Sequence, residues 1–112
     1  MRDLDRIISV YHPTNRPNYT EIVVGDLISV SVSYQTVVAF WGPNGRRVCQ
    51  NAWSTTTGKH LNHIDGGDKQ AKADRLPYNE FRRQYAAALV ACGLADASQL
   101  RELAEADAPV GA

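Results

Sequence analysis

One stretch of the chain concentrates side chains that can do chemistry. From Trp53 to Asp65 the sequence reads WSTTTGKHLNHID, so four hydroxyl residues precede a glycine, a lysine and two histidines. Small hydroxyls, a glycine and a cation at a helix start are typical of an anion site, because free backbone N–H groups there attract negative charge. The predicted ligand-binding residues are Ser54, Thr55, Thr56, Gly58, Lys59 and His60.

The same stretch also fits an ordinary capped helix. Ser54 or Thr55 can cap the first turn by accepting a backbone N–H, which stabilises a helix by about 1 kcal/mol. Helical spacing then gives the segment an inward and an outward face. The inward residues are Thr57, Leu61 and Ile64, and the outward residues are Lys59, His60 and His63. The sequence leaves open whether this helix start binds a ligand or serves packing alone.

Enzyme motifs do not fit this stretch. A phosphate-binding P-loop needs a glycine where Trp53 stands, and a serine or threonine where His60 follows the lysine. The spacing of His60 and His63 is three, whereas the metalloprotease helix spaces its histidines by four with a glutamate between them. A pair of Cys49 with either histidine has no supporting motif. The sequence therefore predicts no catalytic residue, no metal site and no cofactor.

A second candidate surface surrounds the first tryptophan. Trp41 ends a strand-like run, and Gly42-Pro43-Asn44-Gly45 is a tight hairpin turn. Two arginines follow the turn. Tryptophan and arginine are enriched at the energetic centres of protein interfaces. The predicted partner-binding residues are Trp41, Arg46 and Arg47.

Composition limits the remaining possibilities. Twelve Lys and Arg balance twelve Asp and Glu, so no global field attracts nucleic acid or a membrane. Residues 46–83 hold eight cations and four anions, which could form one basic face or an ordinary solvated surface. The two cysteines are expected to be reduced, because one distant pair is not a disulfide framework. Without a signal peptide or an apolar run of membrane-spanning length, a cytoplasmic location is expected, with no membrane partner.

The elements that must position these residues follow from periodicity. Residues 21–24, 28–34, 36–41 and 46–51 are predicted strands, of which the second alternates apolar residues with serines. The run 36–41 is continuously apolar and indicates burial on both faces. Residues 4–11 fit either a helix or a short strand, with a lean toward a strand. Residues 66–75 are predicted to be a surface loop.

Helices dominate the second half of the chain. Tyr78, Phe81, Tyr85, Leu89 and Cys92 form one apolar stripe that ends at a glycine. A capping box at residues 96–99 begins a last helix, which is expected to reach about residue 107. The predicted fold is α+β: an antiparallel β-meander of four to five strands, then a short helix and two C-terminal helices packed on one face. Residues 1–107 are expected to form one domain, and 108–112 a flexible tail.

Two segments also carry a resemblance. Residues 33–40, SYQTVVAF, and 53–62, WSTTTGKHLN, resemble a group of short, uncharacterised proteins of phages and mobile elements. Their pattern is S-Y-x-T-x-V-A-F, a hairpin, then W-S-x-T-T-G-K-H-L-N. The resemblance covers about residues 20–85 and implies a small intracellular accessory protein of phage origin.

Three functions remain in order of preference. The first is a non-enzymatic binding module that receives a nucleotide, a nucleic acid or an acidic protein surface at the Ser54–His60 helix start. The second is a protein–protein module that inhibits a host or defence protein and can form a homodimer. The third is a metal-dependent hydrolase, which would need more ligands than the sequence offers.

Overall fold

The chain forms one meandering antiparallel sheet. The computed structural model describes residues 8–105, in which five strands lie side by side in chain order. The strands are β1 Ile8–Tyr11, β2 Tyr19–Val24, β3 Ile28–Ser33, β4 Thr36–Gly42 and β5 Gly45–Val48. The predicted meander is confirmed, and so is the strand in the described part of segment 4–11. The rest of that segment and the predicted tail lie outside the described residues.

Helices follow the sheet, which confirms the α+β class. They are α1 Thr55–Asp65, α2 Lys69–Asp74, α3 Tyr78–Ala91 and α4 Leu100–Glu105, with a 3₁₀ turn at Ala97–Gln99 before α4. The prediction of a loop over residues 66–75 is wrong for α2, whose first turn is capped by Asp68 accepting the N–H of Ala71. Because α2 buries no residue, it shows no apolar stripe by which the sequence could reveal it.

The register of the sheet sorts its side chains onto two faces. Directly paired residues of antiparallel strands share a face. Ser29 pairs with Val23 and with Trp41, and Trp41 pairs with Arg46. We call this the serine face. Its members are Ser9 and Tyr11 of β1; Tyr19, Glu21 and Val23 of β2; Ser29, Ser31 and Ser33 of β3; Thr36, Ala39 and Trp41 of β4; and Arg46 and Val48 of β5.

The opposite face carries the larger apolar core. Val30 pairs with Phe40, whose ring lies 5.6 Å from that of Phe81 in α3. Arg47, on the same face as Phe40, donates from Nε to Gln84 Oε1 of α3 at 2.8 Å. Helix α3 therefore covers this face.

Helix α1 lies on the serine face instead. The His60 and His63 rings contact the Tyr19 ring at 5.2 and 5.5 Å. Helices α1 and α3 thus cover opposite faces of the sheet. The expectation that the helices pack on one face is wrong. The apolar run of β4 explains this arrangement, because Ala39 and Phe40 point to opposite faces and are 1% and 4% exposed. Burying both side chains requires cover on both sides of the sheet.

Both cysteines are free thiols, as expected. Cys49 is fully buried, and burial raises its pKa to about 12, so it behaves as a small core side chain. Cys92 is half-buried and donates to the carbonyl of Leu27. Within residues 8–105, none of the helices combines the length and apolar character that crossing a membrane requires.

Candidate functional site

A chain of hydrogen bonds runs from the start of α1 into the interior. The Ser54 hydroxyl lies 3.4 Å from Thr57 Oγ1, which lies 2.9 Å from Ser33 Oγ. Ser33 Oγ lies 2.7 Å from His60 Nδ1, and His60 Nε2 lies 3.0 Å from the carbonyl oxygen of Pro17. Ser33, Thr57 and His60 are each at most 3% exposed. This buried hydroxyl–histidine chain joins the loop before β2, the end of β3 and α1.

The carbonyl at the end of this chain sets the direction of its hydrogen bonds. Because the Pro17 oxygen can only accept, His60 Nε2 carries the proton and Nδ1 accepts from the Ser33 hydroxyl. Ser33 Oγ then accepts from Thr57, and Thr57 Oγ1 accepts from Ser54. The imidazole in this arrangement is neutral. Burial disfavours the charged ring and lowers the pKa of His60, despite the hydrogen bond to the carbonyl.

Ser33 and His60 have the atoms of a nucleophile and its general base, but a substrate cannot reach the serine hydroxyl. A catalytic serine must meet its substrate, whereas Ser33 is 2% exposed and lies under α1. The prediction that His60 faces outward is wrong. Leu61 on one side of α1 meets the core, while His60 meets the loop at Pro17 and the ring of Tyr19. The buried part of the α1 surface is therefore wider than the stripe formed by its apolar side chains.

Acid should destabilise the protein through His60. Because its pKa is lowered on folding, the unfolded chain binds the proton more readily, so stability is full above about pH 6.5 and falls as the pH drops. Between the unfolded and the folded pKa of His60 the slope can reach about 1.4 kcal/mol per pH unit, and the loss is complete below the folded pKa. Urea unfolding at about pH 7.5 and about pH 5.5 measures it, and His60→Gln should flatten the dependence. The same slope in the variant would contradict this role.

The N-terminus of α1 is braced by the chain itself. Ser54 Oγ accepts the N–H of Thr57 at 3.2 Å, which confirms the predicted N-cap. Asn51 Nδ2 donates to the Ser54 carbonyl at 3.0 Å, and a Cβ on Gly58 would lie 3.1 Å from that nitrogen. The glycine thus leaves room for a neighbouring side chain of the protein. The other predicted ligand residues lie at the surface: Thr55 and Lys59 are exposed and Thr56 is half-buried.

A buried ion pair secures the other end of α1. Arg75 Nε and Nη2 donate to the two carboxylate oxygens of Asp65 at 2.8 Å, and Nη2 also donates to Asn62 Oδ1 at 3.1 Å. The Arg75 and Asp65 side chains are 7% and 4% exposed. Burial alone would raise the pKa of Asp65, but the hydrogen bonds from Arg75 and from the Gly67 N–H lower it.

The cations of residues 46–83 do not form one basic face. Arg75 and Arg82 are buried, and Arg83 is paired with an acidic neighbour on α3. Arg46 and Arg47 lie on opposite faces of the sheet, because successive residues of a strand alternate. Of the three predicted partner-binding residues, Trp41 and Arg46 lie together, and Arg47 lies apart from them.

The part of the serine face that α1 leaves uncovered forms a groove of about 290 Å³. Trp41 lines this groove and is 59% exposed. The guanidinium carbon of Arg46 lies 5.8 Å from the centroid of its ring. We call this the open-face groove. Its floor includes Tyr19, Glu21, Ser29 and Ser31, and His63 and Ile64 of α1 form a wall.

Hydrogen bonds fix the polar groups of the open-face groove. The Tyr19 hydroxyl donates to Glu21 Oε1 at 2.9 Å and lies 3.2 Å from Ser31 Oγ. Burial raises the pKa of Tyr19 to about 12, so this hydroxyl keeps its proton at neutral pH. Arg46 Nη1 donates to the Ile64 carbonyl at 3.1 Å, which holds the guanidinium beside Trp41. The groove thus presents an aromatic ring, a cation, a carboxylate and hydroxyls.

Sequence reasoning missed the floor of this groove. The alternating serines of β3 were visible as one polar face, and Glu21 as part of a strand. Their approach to Trp41 depends on strand register, which periodicity does not show. Among the described residues, no group of three His, Cys, Asp or Glu side chains is placed to hold a metal ion.

The fold and the groove define a small α+β protein with one meandering sheet and one partly open sheet face. A family model described as a family of unknown function (DUF8033) matches residues 11–82, which is more than half of the chain. The protein belongs to this family. The matched segment contains the buried hydroxyl–histidine chain and the open-face groove. No curated protein and no solved structure matches the chain.

Proposed function

We propose that the protein is a non-catalytic binding module that holds an anionic partner in the open-face groove. The observation that carries this proposal is Trp41, which remains 59% exposed beside an arginine held in place by α1. Exposing the apolar surface of a tryptophan to water is unfavourable in free energy. Trp and Arg are among the residues most enriched in binding hot spots.

The groove suits a partner better than the helix start does. At the helix start, His60 uses both ring nitrogens within the protein, and Ser54 already caps a backbone N–H. In the groove, Arg46 uses Nη1 for the Ile64 carbonyl, which leaves its other nitrogens to meet a phosphate or carboxylate. The exposed imidazole of His63 adds a donor on the wall.

The positions of the side chains that could act in catalysis also agree with a binding role. The Ser33–His60 pair is buried under α1, so a substrate carbonyl could not reach the hydroxyl. The carboxylate of Glu21 is engaged by Tyr19 in a groove that opens to solvent. These placements favour recognition of a ligand over its chemical conversion.

The Trp41→Ala variant should weaken binding of an anionic probe at least tenfold, about 1.4 kcal/mol. The measurement is fluorescence anisotropy of labelled probes, namely a single-stranded oligonucleotide and a poly-glutamate peptide. The reason is the loss of the ring that a partner would cover. Since Trp41 is exposed, its removal should leave the fold intact, which urea unfolding checks.

Two matched variants make this test specific. Tyr34→Ala removes another exposed aromatic ring, 51% exposed and outside the groove, and should leave binding unchanged. Lys59→Ala removes the cation of the helix start. If Lys59→Ala abolishes binding while Trp41→Ala does not, the anion binds at the helix start and the proposed site is wrong. If neither probe binds the wild type, the proposed function is wrong.

A further inference from the structure

We infer that the partner in the open-face groove is single-stranded nucleic acid, with one cytosine base recognised beside Trp41. This inference rests on the proposed function and names the partner. It depends on three features of the serine face: its exposed aromatic rings, one carboxylate among hydroxyls, and the position of its cation.

The exposed aromatic rings of the sheet lie on the face of the groove. Tyr11 is 60% exposed and pairs with Glu21, which places it on the same face as Trp41. The two rings are three strands and two residues apart, a separation of about 16 Å. Single strands bind sheet surfaces by stacking bases on exposed aromatic rings. Two strands lie between the rings: β3 contributes Ser29 and Ser31 to this face, and β2 contributes Glu21 and Val23.

The carboxylate of the groove favours a base that donates hydrogen bonds. Glu21 Oε1 accepts a hydrogen bond from the Tyr19 hydroxyl, which orients the side chain and leaves Oε2 as an acceptor. A glutamate accepts well from the N4 amino group of cytosine, whereas thymine presents a carbonyl oxygen at the equivalent position. Ser31 Oγ, 3.2 Å from the Tyr19 oxygen, adds a hydroxyl nearby. The floor therefore favours cytosine, whose amino group can donate to Glu21, over thymine, whose O4 would face the carboxylate.

The guanidinium of Arg46 can meet one phosphate. Arg46 lies beside Trp41 at the edge of the floor, away from the β2 strand that carries Glu21. A nucleotide that places its base toward Glu21 can thus place its phosphate toward Arg46, with His63 on the adjoining wall. Asp65 lies close to Arg46 but is already paired with Arg75. With Arg46 as the cation of the groove, salt should weaken binding only mildly, at a log–log slope of about 1.

The experiment compares labelled oligodeoxycytidylate and oligothymidylate of about eight nucleotides by fluorescence anisotropy, with poly-glutamate as the peptide probe. Wild-type protein should bind oligodeoxycytidylate at least fivefold more tightly than oligothymidylate. Glu21→Gln keeps an oxygen for Tyr19 and adds an amide donor, so this preference should fall to less than about twofold. Tyr11→Ala should weaken both oligonucleotides by a similar factor, since stacking does not depend on the base.

The outcomes separate this inference from the proposed function. Equal affinity for the two oligonucleotides in the wild type would overturn it, and so would an unchanged preference in Glu21→Gln. Binding of poly-glutamate that depends on Trp41, with no oligonucleotide bound, would overturn the inference and leave the proposed function standing, because the partner would then be an acidic protein. Binding of no probe would overturn both.

Discussion

Replacing Arg75 by alanine should lower the free energy of unfolding by about 3–5 kcal/mol. The substitution leaves the Asp65 carboxylate 4% exposed without its two hydrogen bonds from the guanidinium. An uncompensated buried charge is costly, because the interior cannot solvate it as water does. Urea unfolding at neutral pH measures the loss. For a chain of this length, such a loss is a large share of the total stability.

The matched control is Arg83→Ala. Arg83 also pairs with a carboxylate, that of Glu80, but its side chain is 60% exposed. Solvent screens this pair, so the expected loss is below about 1 kcal/mol. Equal losses for Arg75→Ala and Arg83→Ala would show that burial does not set the contribution of the Asp65 pair. Replacing both Asp65 and Arg75 by apolar residues should cost less than either single change.

The second large effect is expected for His60→Ala, with a loss of about 3 kcal/mol in the free energy of unfolding. The change removes a buried ring and leaves the Ser33 hydroxyl without its acceptor and the Pro17 carbonyl without its donor. The loop before β2 loses its hydrogen bond to α1. Thermal or urea unfolding at about pH 7.5 provides the measurement, since His60 is then neutral in both states.

His63→Ala is the control on the same helix. The His63 ring also contacts Tyr19, at 5.5 Å compared with 5.2 Å for His60, but His63 is exposed. Its loss should cost less than about 1 kcal/mol. If the two variants lose similar stability, the buried hydrogen bonds of His60 contribute little, and its role would be the ring contact alone.

Most residues of the α1 motif have a structural role. Ser54, Thr57, Gly58, His60 and Leu61 each have a structural reason in the cap, the buried hydroxyl–histidine chain, the space for Asn51 and the core. Within this segment, Thr55, Lys59 and His63 are exposed, and a ligand would have to use them without the glycine and His60. We therefore place the proposed function on the sheet beside α1.

Half of that proposed surface could be predicted from the sequence. Trp41 and Arg46 stood out by residue type and by their place beside a hairpin turn, and both line the groove. Glu21 and Tyr19 gave no such signal, because a glutamate or tyrosine in a strand is ordinary. Their meaning comes from the pairing of β2 with β3, which brings Glu21 opposite Ser31.

The sequence by itself determined the local structure. Period-two alternation marked β3, the apolar stripe marked α3, and the cap residues Ser54 and Asp96 marked two helix starts. These features depend on contacts within a few residues, so they can be read along the chain.

Only the tertiary structure decided which faces the helices cover and which polar side chains are buried. Ser33 and His60 are 27 positions apart, and nothing near either residue in the chain indicates their hydrogen bond. Arg46 and Arg47 are adjacent in sequence but serve opposite faces of the sheet. The physical reason is that strand register and helix docking join distant residues, and a shift of one residue would exchange the two faces.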